Sequence, residues 1–324
     1  MPARPSVTVV IPAYNTERYI GDAIDSVLAQ NYPNSEIIVI DDGSTDATVD
    51  IVRGYGDRVG LITQRNQGAA AARNAGLDAA QSEYVAFLDS DDCWLPGKLD
   101  TQIAYLEAHP DIGMIYARWQ VWKPGPDGKF AMPDIAGHHN AESPPSVVPE
   151  RSGWLYNRLL FTSLLHTITV IARRSLIDAV GRFDTTLKRG QDYDYWLRAS
   201  RVTEIHQLDS LVALYRVHGK GCATKWPHEN YELKVVEKAL ERWGPTGPTG
   251  ETTQPGAIRK RLAETCFSFG YHHYHEGNSY LAIRSFVQAV ERRPGDAAAW
   301  RYLAMSILKC GVTTLLDTLK FRAQ

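Results

Sequence analysis

Apolar and polar positions in residues 7–118 switch period repeatedly. "VTVVI" (7–11) is β-branched throughout, as expected of a strand buried on both faces. Ile20, Ala23, Ile24, Val27 and Leu28 then fall at the spacing of one helical stripe. "EIIVI" (36–40) predicts a second strand. It is followed by a turn in which Ser44 or Thr45 can cap the next helix. "VGLIT" (59–63) predicts a third strand, "GAAAARNAGLDAA" (68–80) a third helix and "YVAFL" (84–88) a fourth strand. Leu99, Ile103 and Leu106 mark a further helix, and "IGMIYA" (112–117) a further strand. Such alternation predicts an α/β fold with a mostly parallel sheet flanked by helices.

The pattern breaks over 122–152, where proline, glycine and histidine are frequent, as in "KPGPDGK" and "AESPPSVVPE". Long irregular segments in compact domains are often functional. Order returns with a strand and short helix over 167–184, a helix over 191–200 and a strand over 211–218. "GPTGPTG" (244–250) reads as a linker or surface loop. Residues 257–310 read as helical throughout. Gly270, Gly277, Ala282, Phe286, Ala289 and Pro294 resemble a tetratricopeptide repeat, and Trp300, Leu303 and Ala304 the start of a second copy. One repeat and a fragment cannot bury their own face, so packing on the main domain or on a partner is expected.

Composition narrows the classes. The 324 residues are 44% hydrophobic and 22% charged, with a formal net charge of -2, so bulk charge gives no reason to expect a nucleic-acid partner. Cys93, Cys222, Cys266 and Cys310 are far apart with no CxxC, which points to a reducing, cytoplasmic setting. The first residues read as a strand, not a signal peptide, and no window offers about 18 apolar residues for a membrane span.

The chemistry gathers where strands end, which is where open parallel sheets bind ligands. Strand one runs into Pro12, Ala13, Tyr14 and Asn15, and strand two into Asp41 and Asp42. Strand three precedes Arg65 and Asn66, and strand four runs into Asp89, Ser90, Asp91 and Asp92. Carboxylates this close repel one another. A divalent cation with oxygen ligands relieves that repulsion and makes an acidic edge compatible with a diphosphate. Gly54 and Gly56 follow a helix instead of opening one, so they read as a C-cap and not as a dinucleotide fingerprint.

"VVIPAYN", "VIDDGSTD", "RNQGAAAARNAG", "FLDSDD" and "GQDYDYWLR", in this order, resemble the inverting nucleotide-sugar transferases of glycosyltransferase family 2 over roughly residues 6–218. The resemblance implies the GT-A fold, a nucleotide-sugar donor (usually a UDP-sugar) and Mn²⁺ or Mg²⁺. It implies that Asp42 binds the base, with Tyr14 against it and Pro12 and Asn15 nearby. Asp91 would coordinate the metal, and Asp89 or Asp92 would reach the ribose or complete the metal shell. Arg73 would hold a phosphate, and Asp192 would serve as general base. Here Gln191 stands where the family usually has Glu. Asp194 is the fallback base, and His218 matches a histidine near the metal or diphosphate, flanked by Arg216 and Lys220.

Each assignment has a plainer competitor. Asp41 and Asp42 can form an Asx-turn and cap before Gly43. The acidic triplet can cap the helix that Pro96 begins. Arg73 can snorkel from an apolar helix, and Asp192 can stabilise a helix start. His272 and His275 in "YHHYHE" share a helical face but read as exposed polar residues.

The expected organisation is a transferase domain over 1–243, with a nucleotide-binding part about 1–118 and an acceptor part about 119–243. A linker over 244–256 and a helical extension over 257–324 follow. The expected acceptor is a glycan or lipid-linked glycan. The tail "LLDTLKFRAQ" could touch a membrane surface or a protein. A nucleotidyltransferase, or a degenerate transferase fold serving as scaffold, are the alternatives. The first lacks its expected glycine-rich, lysine-bearing loop after strand one.

Overall fold

The computed structural model describes residues 4–133, 146–219 and 227–321, with backbone alone from 312 onward. It divides into two compact units, Met1–Thr224 with Gly247–Thr249, and Lys225–Thr246 with Gly250–Gln324. The helix over 231–243, assigned from sequence to the transferase domain, lies in the second unit.

The first unit begins with β1 (Val7–Ala13), α1 (Ile20–Leu28), β2 (Ser35–Asp41), α2 (Thr48–Arg53), β3 (Gly60–Thr63), α3 (Ala69–Ala79) and β4 (Tyr84–Phe87). It continues with β5 (Cys93–Trp94), α4 (Lys98–Ala108), β6 (Ile112–Trp122), α5 (Tyr156–Leu159), β7 (Ile171–Arg173), α6 (Arg174–Val180), α7 (Gln191–Ala199) and β8 (Glu204–Arg216). One sheet holds these eight strands in the order β3-β2-β1-β4-β7-β6-β8-β5. β1 to β4 are parallel, whereas β7 runs against both its neighbours and β5 against β8. Val7, Val9, Val10 and Ile11 are fully buried, as a strand covered on both faces requires.

The helix α3 lies unusually close to the sheet. A Cβ on Gly76 would stand 2.3 Å from Val10 Cγ1 and 2.8 Å from Ile40 Cδ1, so only hydrogen fits there. The small residues of "GAAAARNAG" make this approach feasible.

Two strands escaped the sequence pattern. β5 is hidden in the acidic turn because two residues carry no period. β8 begins at Glu204 instead of 211, because buried Ile205 and Leu208 are interspersed with His206, Gln207 and Asp209. The pair β6–β8 is parallel and bulged, which keeps Trp119 in register with Ala213 and Val121 with Tyr215.

The chain leaves β1 for β2 and β3 on one side and returns to β4 on the other. The crevice at the carboxyl ends of β1 and β4 is therefore the topological switch point.

The second unit contains α8 (Tyr231–Trp243), α9 (Pro255–His275), α10 (Ser279–Arg292) and α11 (Ala297–Phe321). Asn230 and Asn278 cap α8 and α10 by accepting the N–H groups of Leu233 and Leu281, each at 3.2 Å. Leu233, Cys266, Ala282, Phe286, Ala289, Val290, Ala299 and Leu303 form its core.

Candidate active site

At the end of β1 the chain turns through Asn15, a non-glycine residue at φ 52. Its side chain explains the turn. Asn15 N donates to Ser44 Oγ at 2.9 Å, and Asn15 Oδ1 accepts from Thr45 N at 2.8 Å, lacing the first loop to the second. Pro12 is partly buried in register with Ile40. Tyr14 is 49% exposed, a large ring at the mouth of the crevice.

Asp41 forms the Asx-turn, accepting the N–H groups of Gly43 and Ser44 at 3.2 Å. Asp42 does something different. Its oxygens accept from Gln64 Nε2 at 2.7 Å, Gln67 N at 2.9 Å and Gly68 N at 2.7 Å. It ties the end of β2 to the loop that opens α3, and it is 3% exposed. Any ligand contact would use what lone-pair capacity remains.

The acidic turn after β4 separates its carboxylates by environment. Asp89 Oδ1 accepts from Arg73 Nη2 at 2.6 Å. Arg73 is 4% exposed and does not snorkel. Its Nε and Nη1 are buried with no partner among the described residues. Asp91 Oδ2 meets His218 Nε2 at 2.9 Å. Burial, then the Asp89 charge, push the Asp91 carboxyl above the usual carboxylate range, while His218 pulls it back. His218 packs its ring on Tyr19 at 4.6 Å, and its Nδ1 is buried without a partner among the described residues.

Asp92 lies deeper than Asp89 and Asp91. It is fully buried, and its Oδ1 accepts the backbone N–H of Arg216 at 2.7 Å. That bond pins β8 beneath the acidic turn, and Asp92 Oδ2 is buried with no partner among the described residues. Burial, with Asp91 and Asp89 nearby, pushes its carboxyl well above the usual range. Arg216 does not present its charge to a phosphate. Its Nε donates to the Asp91 carbonyl and its Nη2 to Asp22 Oδ2, both at 2.8 Å. Its guanidinium lies 4.2 Å from the Trp122 ring centre, 4.6 Å from Phe130 and 4.8 Å from Tyr19. Lys220 lies outside the described residues.

Asp192 sits in the first turn of α7, which Gly190 enters at φ 71. It is partly buried. Its Oδ2 accepts from Thr167 Oγ1 at 3.2 Å and its Oδ1 from Tyr193 N at 2.8 Å. Asp194, the fallback base, is buried and takes Arg198 Nε at 2.9 Å. Gln191 is buried, and its Oε1 has no partner among the described residues.

His166 escaped sequence reasoning. Burial pushes its imidazole below the usual range, opposed by the charges of Asp89, Asp192 and Asp91 and reinforced by Arg73. The acidic turn and the start of α7 therefore act on one imidazole. Nothing in "LLHTITV" signals this, since a lone histidine before a strand has no pattern. Among the described residues, no group of three or more His, Cys, Asp or Glu side chains is placed to enclose a metal ion, His272 and His275 included. No described helix is long and apolar enough to cross a membrane.

A family model described as Glycosyl transferase family 2 matches residues 8–161. An uncharacterized glycosyltransferase of Rickettsia prowazekii, RP339, is 31% identical over 241 residues, which is 74% of this chain and 70% of that protein. The chain belongs to glycosyltransferase family 2. The transferase is also 34% identical over 194 residues, 59% of its length and 68% of the relative's, to a protein of Escherichia coli. That relative is named UDP-Glc:alpha-D-GlcNAc-diphosphoundecaprenol beta-1,3-glucosyltransferase WfgD. Some relatives are longer, and the match spans 37% of a Rickettsia felis glycosyltransferase. Among solved structures, S. aureus TarS 1–349 in complex with UDP-GlcNAc superposes with a TM-score of 0.60. Its identity is 21%, and the match covers 89% of this chain and 81% of that one. The transferase thus has the GT-A fold, followed by a helical region.

Proposed function

We propose that this transferase is an inverting enzyme that moves a sugar from a UDP-sugar to a hydroxyl of a glycan or lipid-linked glycan, assisted by Mn²⁺ or Mg²⁺. The observation that carries the reading is the acidic turn at the switch-point end of β4, where Asp91 meets His218 at 2.9 Å and Asp89 takes Arg73 at 2.6 Å. The relative named for UDP-glucose and a diphosphoundecaprenol-linked acceptor supports the donor and the acceptor class.

Asp91 and His218 fit a divalent ion. A carboxylate oxygen and an imidazole nitrogen meet at 2.9 Å, in a setting where burial and Asp89 already disfavour the free carboxylate. When bound, the ion would neutralise charge developing on the diphosphate leaving group. Arg73, held by Asp89, has two guanidinium nitrogens with no partner among the described residues, suited to the same anionic ligand. Tyr14 offers its exposed ring to the base. Asp192 takes the acceptor hydroxyl's proton as that oxygen attacks the sugar opposite the leaving group, and one in-line displacement inverts the anomeric centre.

The test is Asp192→Asn assayed against a panel of sugar nucleotides with and without Mn²⁺. UDP affinity should be retained and transfer should fall about 100- to 10,000-fold. Wild-type rates in the variant would refute the assignment.

A further inference from the structure

Three rings meet beside the proposed base. Trp119 on β6 lies 4.5 Å from His166 and 5.7 Å from Tyr215 on β8, and His166 lies 5.0 Å from Tyr215. The triangle is closed, with interplanar angles of 47°, 81° and 59°. Trp119 is nonetheless 38% exposed, in a run (118–121) where β6 turns from core to solvent. An indole gripped by two rings yet open to water is pre-ordered, so a ligand would gain contact area at little conformational cost.

Position supplies the ligand's class. His166 is adjacent in sequence to Thr167, whose hydroxyl donates to Asp192. In the sheet, β6 lies two strands beyond β4, on the side away from β1 and Tyr14. The rings therefore border the base and lie on the side of the sheet away from the strand end that carries Tyr14. The partner that must reach Asp192 from there is the molecule that gives up a hydroxyl proton. A pyranose has an apolar C–H face and a polar rim, and an indole face complements the first while leaving the second to hydrogen-bond.

We propose that Trp119, braced by His166 and Tyr215, is the platform on which the acceptor's terminal pyranose stacks, delivering its hydroxyl to Asp192. The proposal rests on the function proposed above and names the acceptor subsite of that same site. It makes Trp119 a specificity-determining residue for the acceptor and leaves the donor untouched.

The test uses the full chain labelled with 5-fluorotryptophan and followed by ¹⁹F NMR. Of the 8 tryptophan resonances, the one lost in Trp119→Phe is that of Trp119. Methyl glycosides of glucose, galactose and N-acetylglucosamine are titrated, then UDP. At least one glycoside should shift the Trp119 resonance, and should do so whether or not UDP is already bound. In saturation-transfer experiments Trp119→Ala should weaken that glycoside's binding at least tenfold while UDP is still bound, and Trp119→Phe should restore most of it. A Trp119 resonance unmoved by every glycoside, or moved by UDP alone, overturns the proposal, as does full glycoside binding by Trp119→Ala. Asp192→Asn separates the two readings. If transfer survives in that variant the base assignment fails, whereas the glycoside shift at Trp119 still decides the platform.

Discussion

Thr167 Oγ1 donates to Asp192 Oδ2 across 3.2 Å, joining the turn before β7 to the first turn of α7. A hydroxyl on one carboxylate oxygen orients the other. Thr167→Val should therefore lower kcat about tenfold, the scale of one hydrogen bond to a charged group, with the donor KM unchanged. Thr167→Ser should recover most of the loss. A donor KM that rises in parallel would mark a general packing defect instead.

The Asp91–His218 contact makes a separate prediction. In His218→Ala the gain in UDP affinity that Mn²⁺ supplies should shrink by about tenfold or more, since even outer support of a metal site is worth 10–100-fold. Calorimetric titration of UDP, with Mn²⁺ and with chelator, measures it. Equal gains in wild type and variant would remove His218 from the metal site.

Arg216 is placed to hold structure, so its loss should be felt in stability first. Arg216→Met removes the guanidinium from three aromatic rings and the Asp91 carbonyl and leaves Asp22 unpaired. Asp22 is more than half exposed, so the cost expected is about 2–4 kcal/mol, below that of a fully buried pair. Denaturant unfolding reads it. A phosphate-binding arginine would instead leave stability intact and weaken only the donor.

Gly76→Ala opposes two effects. Alanine favours a helix interior by about 0.5–1 kcal/mol. The new methyl would stand 2.3 Å from Val10 Cγ1, and overpacking typically costs about 1–3 kcal/mol. The steric term wins, and the variant should melt lower. Val10→Ala introduced alongside should return part of the loss.

Lys98 is fully buried, with Nζ donating to Gln102 Oε1 and to the Thr169 carbonyl and lying 4.7 Å from the Trp94 ring centre. Burial pushes its ammonium well below the usual lysine range. Between that lowered value and about 10.4 the unfolded chain binds more protons than the native one. Stability from this group therefore rises with pH across the window and is lost as pH falls through it. Lys98→Met should gain on wild type progressively as pH drops from about 10. A stability difference independent of pH would show that Lys98 keeps its proton inside.

Local pattern was enough for the nucleotide half of this protein. "VTVVI", "EIIVI" and "YVAFL" are short and β-branched or aromatic, and each ends in polar residues. The order of elements and the gathering of Asp42, Asp89 and Asp91 at strand ends thus follow from periodicity and chain order. What a charged side chain does once there depends on distant neighbours. Asp92 and Arg216 are 124 positions apart and become sealed props only because β5 pairs with β8. Asp89 keeps a water-facing edge in the same turn. His166, Thr167 and Trp119 carry no motif, and antiparallel β7, inserted between β4 and β6, brings Thr167 to Asp192 and His166 to Trp119. Sequence records periodicity within a segment, whereas burial and partnership between segments arise only when the sheet closes over them.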